Sequence, residues 1–188
     1  MNQPLDTLLG VSLGVGLAAA CGLRVFLPLL ALGAAARLGH VALAPGFAWL
    51  AGTPALAVFA TATVLEIAAY YIPWLDNALD AIATPVASIA GILVSASVLV
   101  DVPPLVRWSV AIIAGGGASA AVQASTSLLR LKSTALTGGL GNPLLATAEW
   151  LGAGTLALMA LLLPLLGIAV LAAALALLLW RRRAGRTG

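Results

Sequence analysis

Between Leu8 and Ala36 the sequence carries one charged side chain, Arg24, among apolar and small residues. The same imbalance extends over the whole chain, where 62% of residues are hydrophobic, 8% are charged and the mean hydropathy is +1.13. A soluble domain uses about 25% charged residues to cover its surface. This composition therefore predicts an integral membrane protein whose partner is the lipid bilayer.

Helices are the expected architecture, because only helices and closed barrels satisfy the backbone inside lipid. The runs of Leu and Ala lack the alternation that a barrel strand needs. The 188 residues leave room for about 5–6 membrane segments of roughly 20 residues each. We predict an all-α, polytopic transmembrane helical bundle with broken or re-entrant helices, in one domain at 1–180 with a basic tail at 181–188.

The first apolar stretch, at about 5–38, is too long for one straight crossing. As a single helix it would measure about 50 Å, against a hydrocarbon core of about 30 Å. Gly22 and Pro28 favour a break beside Arg24, since glycine is conformationally free and proline lacks a backbone donor. We predict helices at about 5–21 and 25–38, forming either a re-entrant hairpin or a discontinuous span.

The remaining sequence shows a similar pattern of apolar helices separated by polar or glycine-rich segments. Helices are predicted after an uncharged loop, at about 54–71, 76–100 and 105–126. A polar, glycine-rich link covers about 128–143, within which Asn142 and Pro143 open the last apolar stretch, and that stretch runs to Trp180. Residues predicted to break or kink helices are Gly22, Pro28, Pro85, Pro143 and Pro164.

Most charged side chains fall near predicted helix ends, where long side chains reach the interface. This interpretation applies to Arg37, Asp101, Arg107, Arg130 and Lys132. Arg24 lies far from either predicted interface, where an arginine costs about 2.5–3.5 kcal/mol on insertion scales. Such a residue faces a cavity or pairs with an acid, and Glu149 is a candidate partner. A structural pair that only holds the bundle together is the alternative.

Three further acids lie at unexpected places in the apolar pattern. Glu66 falls two-thirds of the way along its helix, and Asp76 and Asp80 are one turn apart on a shared face. At a helix start the two aspartates would complement the macrodipole, which is the structural alternative. The candidate solute- or ion-binding residues are therefore Arg24, Glu66, Asp76, Asp80, Asn142 and Glu149.

Several functions are not supported by any pattern in the sequence. The chain has one cysteine, Cys21, and one histidine, His40, and it shows no phosphate-binding loop, zinc spacing or catalytic triad. We expect no enzyme activity, no metal and no cofactor. The basic residues of "WRRRAGRTG" form a tail after Trp180, so they indicate a cytoplasmic C-terminus rather than nucleic-acid binding.

Small residues line one part of the first helix, at Gly10, Gly14, Gly16 and 18–20. Small residues at such spacing let helices approach closely. The face packs either within one subunit or between copies in a homo-oligomer. Packing within the subunit is favoured, because every polytopic bundle needs such faces.

Three segments occur in chain order: "GLRVFLPLL" (22–30), "LEIAAYYIPWLDNALDAIATPVASIAG" (65–91) and "GNPLLATAE" (141–149). They resemble the bacterial membrane family called domain of unknown function 4126. The resemblance implies functional or structural importance for Gly22, Leu23, Arg24, Phe26, Pro28, Glu66, Pro73, Leu75, Asp76, Asp80, Thr84, Pro85, Asn142, Pro143 and Glu149. The chain departs at Tyr70 and Ala87, where the family pattern implies an acid and an arginine.

Two functional hypotheses follow. The leading one is a small carrier or channel-like transporter in the bacterial inner membrane, because interrupted helices in both halves of a chain point to a midplane binding site. Arg24 would bind an anionic solute or a lipid headgroup, and the acids would accept protons or cations. The alternative is a non-transporting scaffold or accessory subunit whose buried charges are structural.

Overall fold

The computed structural model describes the backbone of residues 3–69 and 73–164 and the side chains of residues 5–69 and 82–164. Every regular element in these ranges is helical, which confirms the predicted all-α bundle. The elements are α1 (Gln3–Leu23), α2 (Phe26–Arg37), a 3₁₀ turn (Ala48–Ala51), α3 (Thr53–Ala69), α4 (Pro73–Val98), α5 (Pro104–Val110), a π-helical segment (Ala111–Gly116), α6 (Gly117–Thr137) and α7 (Asn142–Leu162).

The helices have the lengths and compositions of a membrane protein. Within the described residues, three helical stretches are long and apolar enough to cross a bilayer: Leu5–Leu23, Pro104–Thr137 and Asn142–Leu162. The second of these contains α5, the π-helical segment and α6 in one uninterrupted run. Shorter apolar helices cover Phe26–Arg37, Thr53–Ala69 and Ile82–Val98.

Helix α1 lies at the centre of the bundle and contacts α4, α6 and α7. Its small residues allow close approach within the subunit, as the sequence favoured. A methyl group added at Gly14 would lie 3.0 Å from the Cα of Ser95, and one added at Gly16 would lie 2.8 Å from the Cβ of Ala160. The Ser95 hydroxyl donates to the Gly14 carbonyl at 3.0 Å. These contacts fix α1 against α4 and α7.

The chain reverses direction between α1 and α2. Gly10, near the start of α1, packs against Val98 at the end of α4. The loop that follows α2 reaches the same end, where the amide of Ala44 donates to the carbonyl of Ser97 at 2.7 Å. The outer ends of α1 and α2 therefore lie together, and the break at Arg24 lies in the interior.

The segment between α2 and α3 packs onto the bundle instead of extending away from it. Ala44, Phe47 and Leu50 are buried, while His40 is exposed. Gly33 of α2 approaches this segment closely, since an added methyl group would lie 2.5 Å from the carbonyl oxygen of Leu50. Non-helical backbone in a membrane protein is tolerated where protein covers it, and in this loop the three buried residues, Ala44, Phe47 and Leu50, meet that condition.

The prediction of a polar link at about 128–143 was wrong for most of its length. Helix α6 continues to Thr137, and Gly138 in the left-handed conformation (φ 63°) ends it. The connection to α7 is therefore only four residues long, 138–141. The polar residues that suggested a link lie on helical faces, so Arg130 and Lys132 belong to α6.

The predicted helix breaks have mixed outcomes. Pro85 lies inside α4 and does not end it, and Pro28 is the third residue of α2, where the missing amide has no helical partner to lose. Pro143 is the second residue of α7, as a helix start requires. Helix α7 ends at Leu162, and Leu163 leaves the helical region (φ −141°) before Pro164.

Gly22 has a different role from the one predicted. It is helical, and the break falls two residues later, at Arg24 and Val25. A methyl group at Gly22 would lie 2.5 Å from the carbonyl oxygen of Ser119 and 2.7 Å from the Cβ of Val122. Glycine is therefore needed here because α1 passes very close to α6, and not because the backbone bends.

Candidate functional site

The break between α1 and α2 is held by a carboxylate from a third helix. Glu66 of α3 accepts hydrogen bonds from the amides of Val25, at 3.0 Å, and Phe26, at 3.3 Å. Each amide uses a different carboxylate oxygen. These amides begin α2 and have no carbonyl partner in a preceding turn. Glu66 thus acts as a tertiary N-cap, and its negative charge complements the helix dipole.

Arg24 projects from the break into the bundle and is 2% exposed. Its Nη2 donates to the carbonyl of Ala146 at 2.8 Å and to Oε2 of Glu149 at 3.0 Å. Both acceptors belong to α7. The predicted pairing of Arg24 with Glu149 is therefore confirmed.

A second arginine joins this pair. Arg130 of α6 is 4% exposed, and its Nε donates to Oε1 of Glu149 at 3.1 Å. Its Nη2 makes a further short contact with Oε2 of the same carboxylate. This is the two-pronged geometry that a guanidinium forms with a carboxylate. The interfacial placement predicted for Arg130 was wrong, because α6 turns this residue inward.

The sequence contains a signal that could have revealed Arg130. The buried polar side chains of α6 are Ser119, Gln123, Thr126 and Arg130. Steps of four, three and four residues place them on one face of a helix. A periodic reading of "ASAAVQASTSLLRLK" therefore predicts an inward polar stripe that ends at the arginine.

Helix α7 presents Glu149 from a face made of small residues. Its buried positions are Ala146, Glu149, Ala153, Ala157 and Ala160, which recur at helical spacing. Small neighbours let α1 and α7 pack closely, and the long glutamate side chain extends from this face to both arginines. We call Arg24, Arg130 and Glu149, together with Glu66 at the break, the charge cluster.

The charge cluster compensates the energetic cost of burying ionised side chains. Each ion loses several kcal/mol of hydration when it leaves water, and pairing with good hydrogen-bond geometry compensates this loss. Two arginines and two carboxylates give the four groups no formal net charge when all are ionised. In the described residues these groups come from α1–α2, α3, α6 and α7, so the cluster ties separate parts of the bundle together.

The remaining predicted site residues lie elsewhere or outside the described side chains. Asp76 and Asp80 fall in the first two turns of α4, where only the backbone is described. Asn142 begins α7, and its Nδ2 donates to Oγ1 of Thr134 at 3.0 Å. It lies seven residues before Glu149, about 10 Å along the helix axis. The structure thus places Asn142 at the α6–α7 turn and not in the charge cluster.

The other predicted interfacial charges also have specific places. Arg107 donates from Nε to the carbonyl of Leu99 at 2.9 Å and from Nη2 to that of Val100 at 3.0 Å, so it caps the end of α4. Arg37 donates to Oγ1 of Thr53 at 2.8 Å. Lys132 and Asp101 are exposed. Of the two departures from the family pattern, Ala87 is fully buried in α4 and Tyr70 lies outside the described residues.

Fold and site together define a helical membrane protein with a buried charge cluster at an interrupted helix. The chain belongs to the family described as domain of unknown function (DUF4126), whose model matches residues 11–184. That match includes the helix break and every member of the charge cluster. Comparison with curated proteins and with solved structures gives no match.

Proposed function

We propose that this protein is a small carrier or channel-like transporter whose polar site is the charge cluster. One observation carries the proposal: two guanidinium groups from separate elements meet on one carboxylate inside an apolar bundle. Ionisable side chains at membrane depth are costly, and they mark solute or ion pathways by default. Interrupted helices are the usual location of such sites in transporters.

The residues have distinct roles in this proposal. Arg24 and Arg130 bind the anionic group of a solute or a lipid headgroup, and the start of α2 contributes its positive dipole end. Glu149 and Glu66 are the acceptors for protons or cations, with Asp76 and Asp80 of α4 as further candidates. The compact α1–α2 pair acts as a re-entrant hairpin. The 12 residues of α2 span only about 18 Å, which is too short to cross a hydrocarbon core of about 30 Å.

A second candidate function is favoured by the burial of the charge cluster. Arg24, Arg130 and Glu149 are each less than 9% exposed, and a closed ion pair is what a scaffold or accessory subunit would need. In that case the charges would only hold the helices together. The two functions differ in one property, which is access of water to the break.

We also propose a location and an orientation. The apolar helices place the protein in a membrane, and the inner membrane of a bacterium is the proposed one. The basic residues after Trp180 support a cytoplasmic C-terminus through the positive-inside rule. An enzymatic role is not proposed, because the sequence carries no recognised catalytic set. Reporter fusions at the C-terminus, read for cytoplasmic or external activity, test this orientation.

Thiol accessibility tests transport against scaffolding. In a Cys21→Ala background, single cysteines replace Leu23, Val25, Phe26 and Leu27, and oriented vesicles are treated with a membrane-impermeant thiol reagent. Cys21 is fully buried, so its removal eliminates background labelling without opening a surface. Labelling at the break that Glu149→Gln alters supports transport. No labelling from either side supports the scaffold.

Two control positions calibrate the labelling. His40 is exposed in the loop after α2, so His40→Cys reports the labelling of an exposed loop position. Ile113 is 76% exposed inside the continuous helical stretch Pro104–Thr137, where its apolar side chain faces lipid. Ile113→Cys therefore gives the background expected of a site that water does not reach.

A further inference from the structure

We propose that the charge cluster binds one monovalent oxyanion, a carboxylate or a phosphate monoanion, together with one proton taken up by Glu149. This inference rests on the proposed transport function and names its substrate class and its coupling ion. In the unloaded state the Glu149 carboxylate occupies the donors of both arginines. In the loaded state Glu149 is neutral and the oxyanion of the solute takes its place.

The donor geometry identifies the ligand class. Oε1 of Glu149 accepts from Nε of Arg130 at 3.1 Å, and Oε2 accepts from Nη2 of Arg24 at 3.0 Å and also from Nη2 of Arg130. The two guanidiniums therefore present three N–H donors to two oxygens bonded to one central atom. Carboxylates and phosphates share that arrangement, and arginine is the side chain best suited to hold it.

A proton alone is disfavoured at this site. Protonation of Glu149 removes the negative charge that Arg24 and Arg130 share while both arginines stay 96–98% buried. Breaking a buried ion pair in this way is strongly unfavourable, because it leaves charge without compensation in an apolar interior. A proton bound without an anion therefore leaves the two arginines uncompensated, and the proposed route carries proton and anion together.

An oxyanion alone is disfavoured for the opposite reason. With Glu149 ionised, an added anion lies beside a carboxylate that already occupies the same donors, and like charges repel strongly at low dielectric. When proton and monoanion bind together, the formal charge of the cluster equals that of the unloaded state. Each ligand thus favours the binding of the other, and the coupled step is electroneutral.

Among the described side chains, the charged groups that face Glu149 come from two elements: Arg24 from the α1–α2 break and Arg130 from α6. Glu66 of α3 is close enough to interact electrostatically with both arginines. The start of α4 carries Asp76 and Asp80, whose side chains lie outside the described residues. Glu66 is engaged by two backbone amides and Glu149 by two guanidiniums, so an incoming oxyanion competes with Glu149.

The only covalent change in the proposed step is the transfer of one proton. An O–H bond of a hydronium ion breaks, leaving water, and a new O–H bond forms at an oxygen of the Glu149 carboxylate. The hydrogen bonds from Arg24 and Arg130 then transfer from that carboxylate to the oxyanion. Release reverses both events, so one proton accompanies each anion in either direction.

Calorimetric titration measures this coupling directly. Inorganic phosphate and gluconate are titrated into the full chain in detergent micelles, at several mildly acidic pH values and in two buffers of different ionisation enthalpy. We expect uptake of one proton per bound anion. We also expect the affinity to fall about tenfold for each unit rise in pH, because only the protonated site is competent.

Glu149→Gln fixes the site in its neutral form. This variant should bind the same anions without proton uptake and with a pH-independent affinity. Arg130→Ala in the Glu149→Gln background should abolish that binding. The matched control is Asp101→Asn, which makes the same acid-to-amide change at an exposed position and should leave proton uptake at one per anion.

A parallel titration separates a lipid headgroup from a free solute. Short-chain phosphatidylglycerol replaces the soluble anions, with short-chain phosphatidylcholine as the neutral control. Proton-linked binding of phosphatidylglycerol alone assigns the oxyanion to a lipid, and binding of phosphate or gluconate assigns it to a soluble anion. Either outcome supports the inference.

Two results overturn the inference. One is anion binding without proton uptake by the original chain, and the other is no anion binding by the original chain or by Glu149→Gln. If the break is nevertheless labelled from the aqueous phase, transport stands and only the oxyanion–proton assignment fails. If the break is not labelled and no anion binds, the proposed function fails as well.

Discussion

Glu66 and Val25, 41 positions apart in the sequence, are joined by a hydrogen bond of 3.0 Å from the Val25 amide to the Glu66 carboxylate. The second oxygen of Glu66 accepts from Phe26 at 3.3 Å. These contacts satisfy backbone donors that the break between α1 and α2 would otherwise leave bare in an apolar interior. The position of Arg24 therefore depends on a residue of α3.

Glu66→Ala should destabilise the protein by at least about 1–2 kcal/mol, the typical cost of losing an N-cap, because two buried amides lose their acceptor. The free energy of unfolding of Glu66→Gln should lie between those of the original protein and Glu66→Ala, because its single carbonyl oxygen replaces two carboxylate oxygens. Reversible unfolding in mixed detergent micelles measures the free energy of unfolding for each variant.

Thr63→Val is the control for Glu66→Ala. Thr63 is also buried in α3, but its hydroxyl donates to the Phe59 carbonyl within the same helix at 2.7 Å. Its replacement removes a local bond and should change the free energy of unfolding by less than Glu66→Ala does. Equal effects of the two substitutions would show that Glu66 does not hold the break.

Arg130→Ala should cost about 3–5 kcal/mol of unfolding free energy, as expected when one partner of a buried ion pair is removed. Lys132→Ala, two residues along the same helix and exposed, should change stability by less than about 0.5 kcal/mol. The same unfolding assay compares the two variants. A large loss in Lys132→Ala or a negligible one in Arg130→Ala would contradict the inward orientation of α6.

Arg130 and Glu149 should also show strong energetic coupling in their effects on stability. Glu149→Ala alone leaves two arginines without their shared carboxylate, so the double variant Arg130→Ala with Glu149→Ala should lose less than the sum of the single losses. A coupling energy of about 0.5–3 kcal/mol is typical of residues in one network. Additive losses in a double-mutant cycle would mean that the contact contributes nothing of its own.

The sequence predicts those features of the protein that depend on local pattern. Apolar content and periodicity predict the helices of the bundle, and the isolation of Arg24 predicts that it faces either a cavity or an acidic partner. Asn142 and Pro143 correctly mark the start of α7. In each case the signal lies within a few residues of the feature, so no knowledge of the tertiary arrangement is needed.

Other features depend on which helices become neighbours. Arg130 looks interfacial because it lies near a predicted helix end, yet the partner that draws it inward is 19 residues away on α7. In the sequence Glu66 is an isolated acid in an apolar segment, and only the fold brings it to the start of α2. The α6–α7 link was wrongly predicted because polar residues were interpreted as a loop, although α6 continues through them to Thr137 with most of them on its exposed side.

Arg107→Ala should destabilise the end of α4 by about 1–3 kcal/mol. Its guanidinium donates to the carbonyls of Leu99 and Val100, which have no partner in a further helical turn, and bonds from a charged donor are stronger than neutral ones. Arg37→Ala is the matched control, because Arg37 is exposed and bonds one hydroxyl. Hydrogen exchange of residues 95–100 should rise in Arg107→Ala and stay unchanged in Arg37→Ala.

Two glycine-to-alanine changes test whether close packing of α1 on α6 positions the charge cluster. Gly22→Ala should cost about 1–3 kcal/mol, because the new methyl group would overlap Ser119 and Val122 of α6. Gly117→Ala, on α6 with open space around it, should instead stabilise the helix by about 0.5–1 kcal/mol. Unfolding in mixed micelles gives both values, and the anion titration gives the functional effect.

Gly22→Ala separates Arg24 from Arg130 and should weaken oxyanion binding, whereas Gly117→Ala should leave oxyanion binding unchanged. Equal stability of the two variants would mean that the helices relax apart without strain, and that Gly22 does not fix the distance between the arginines.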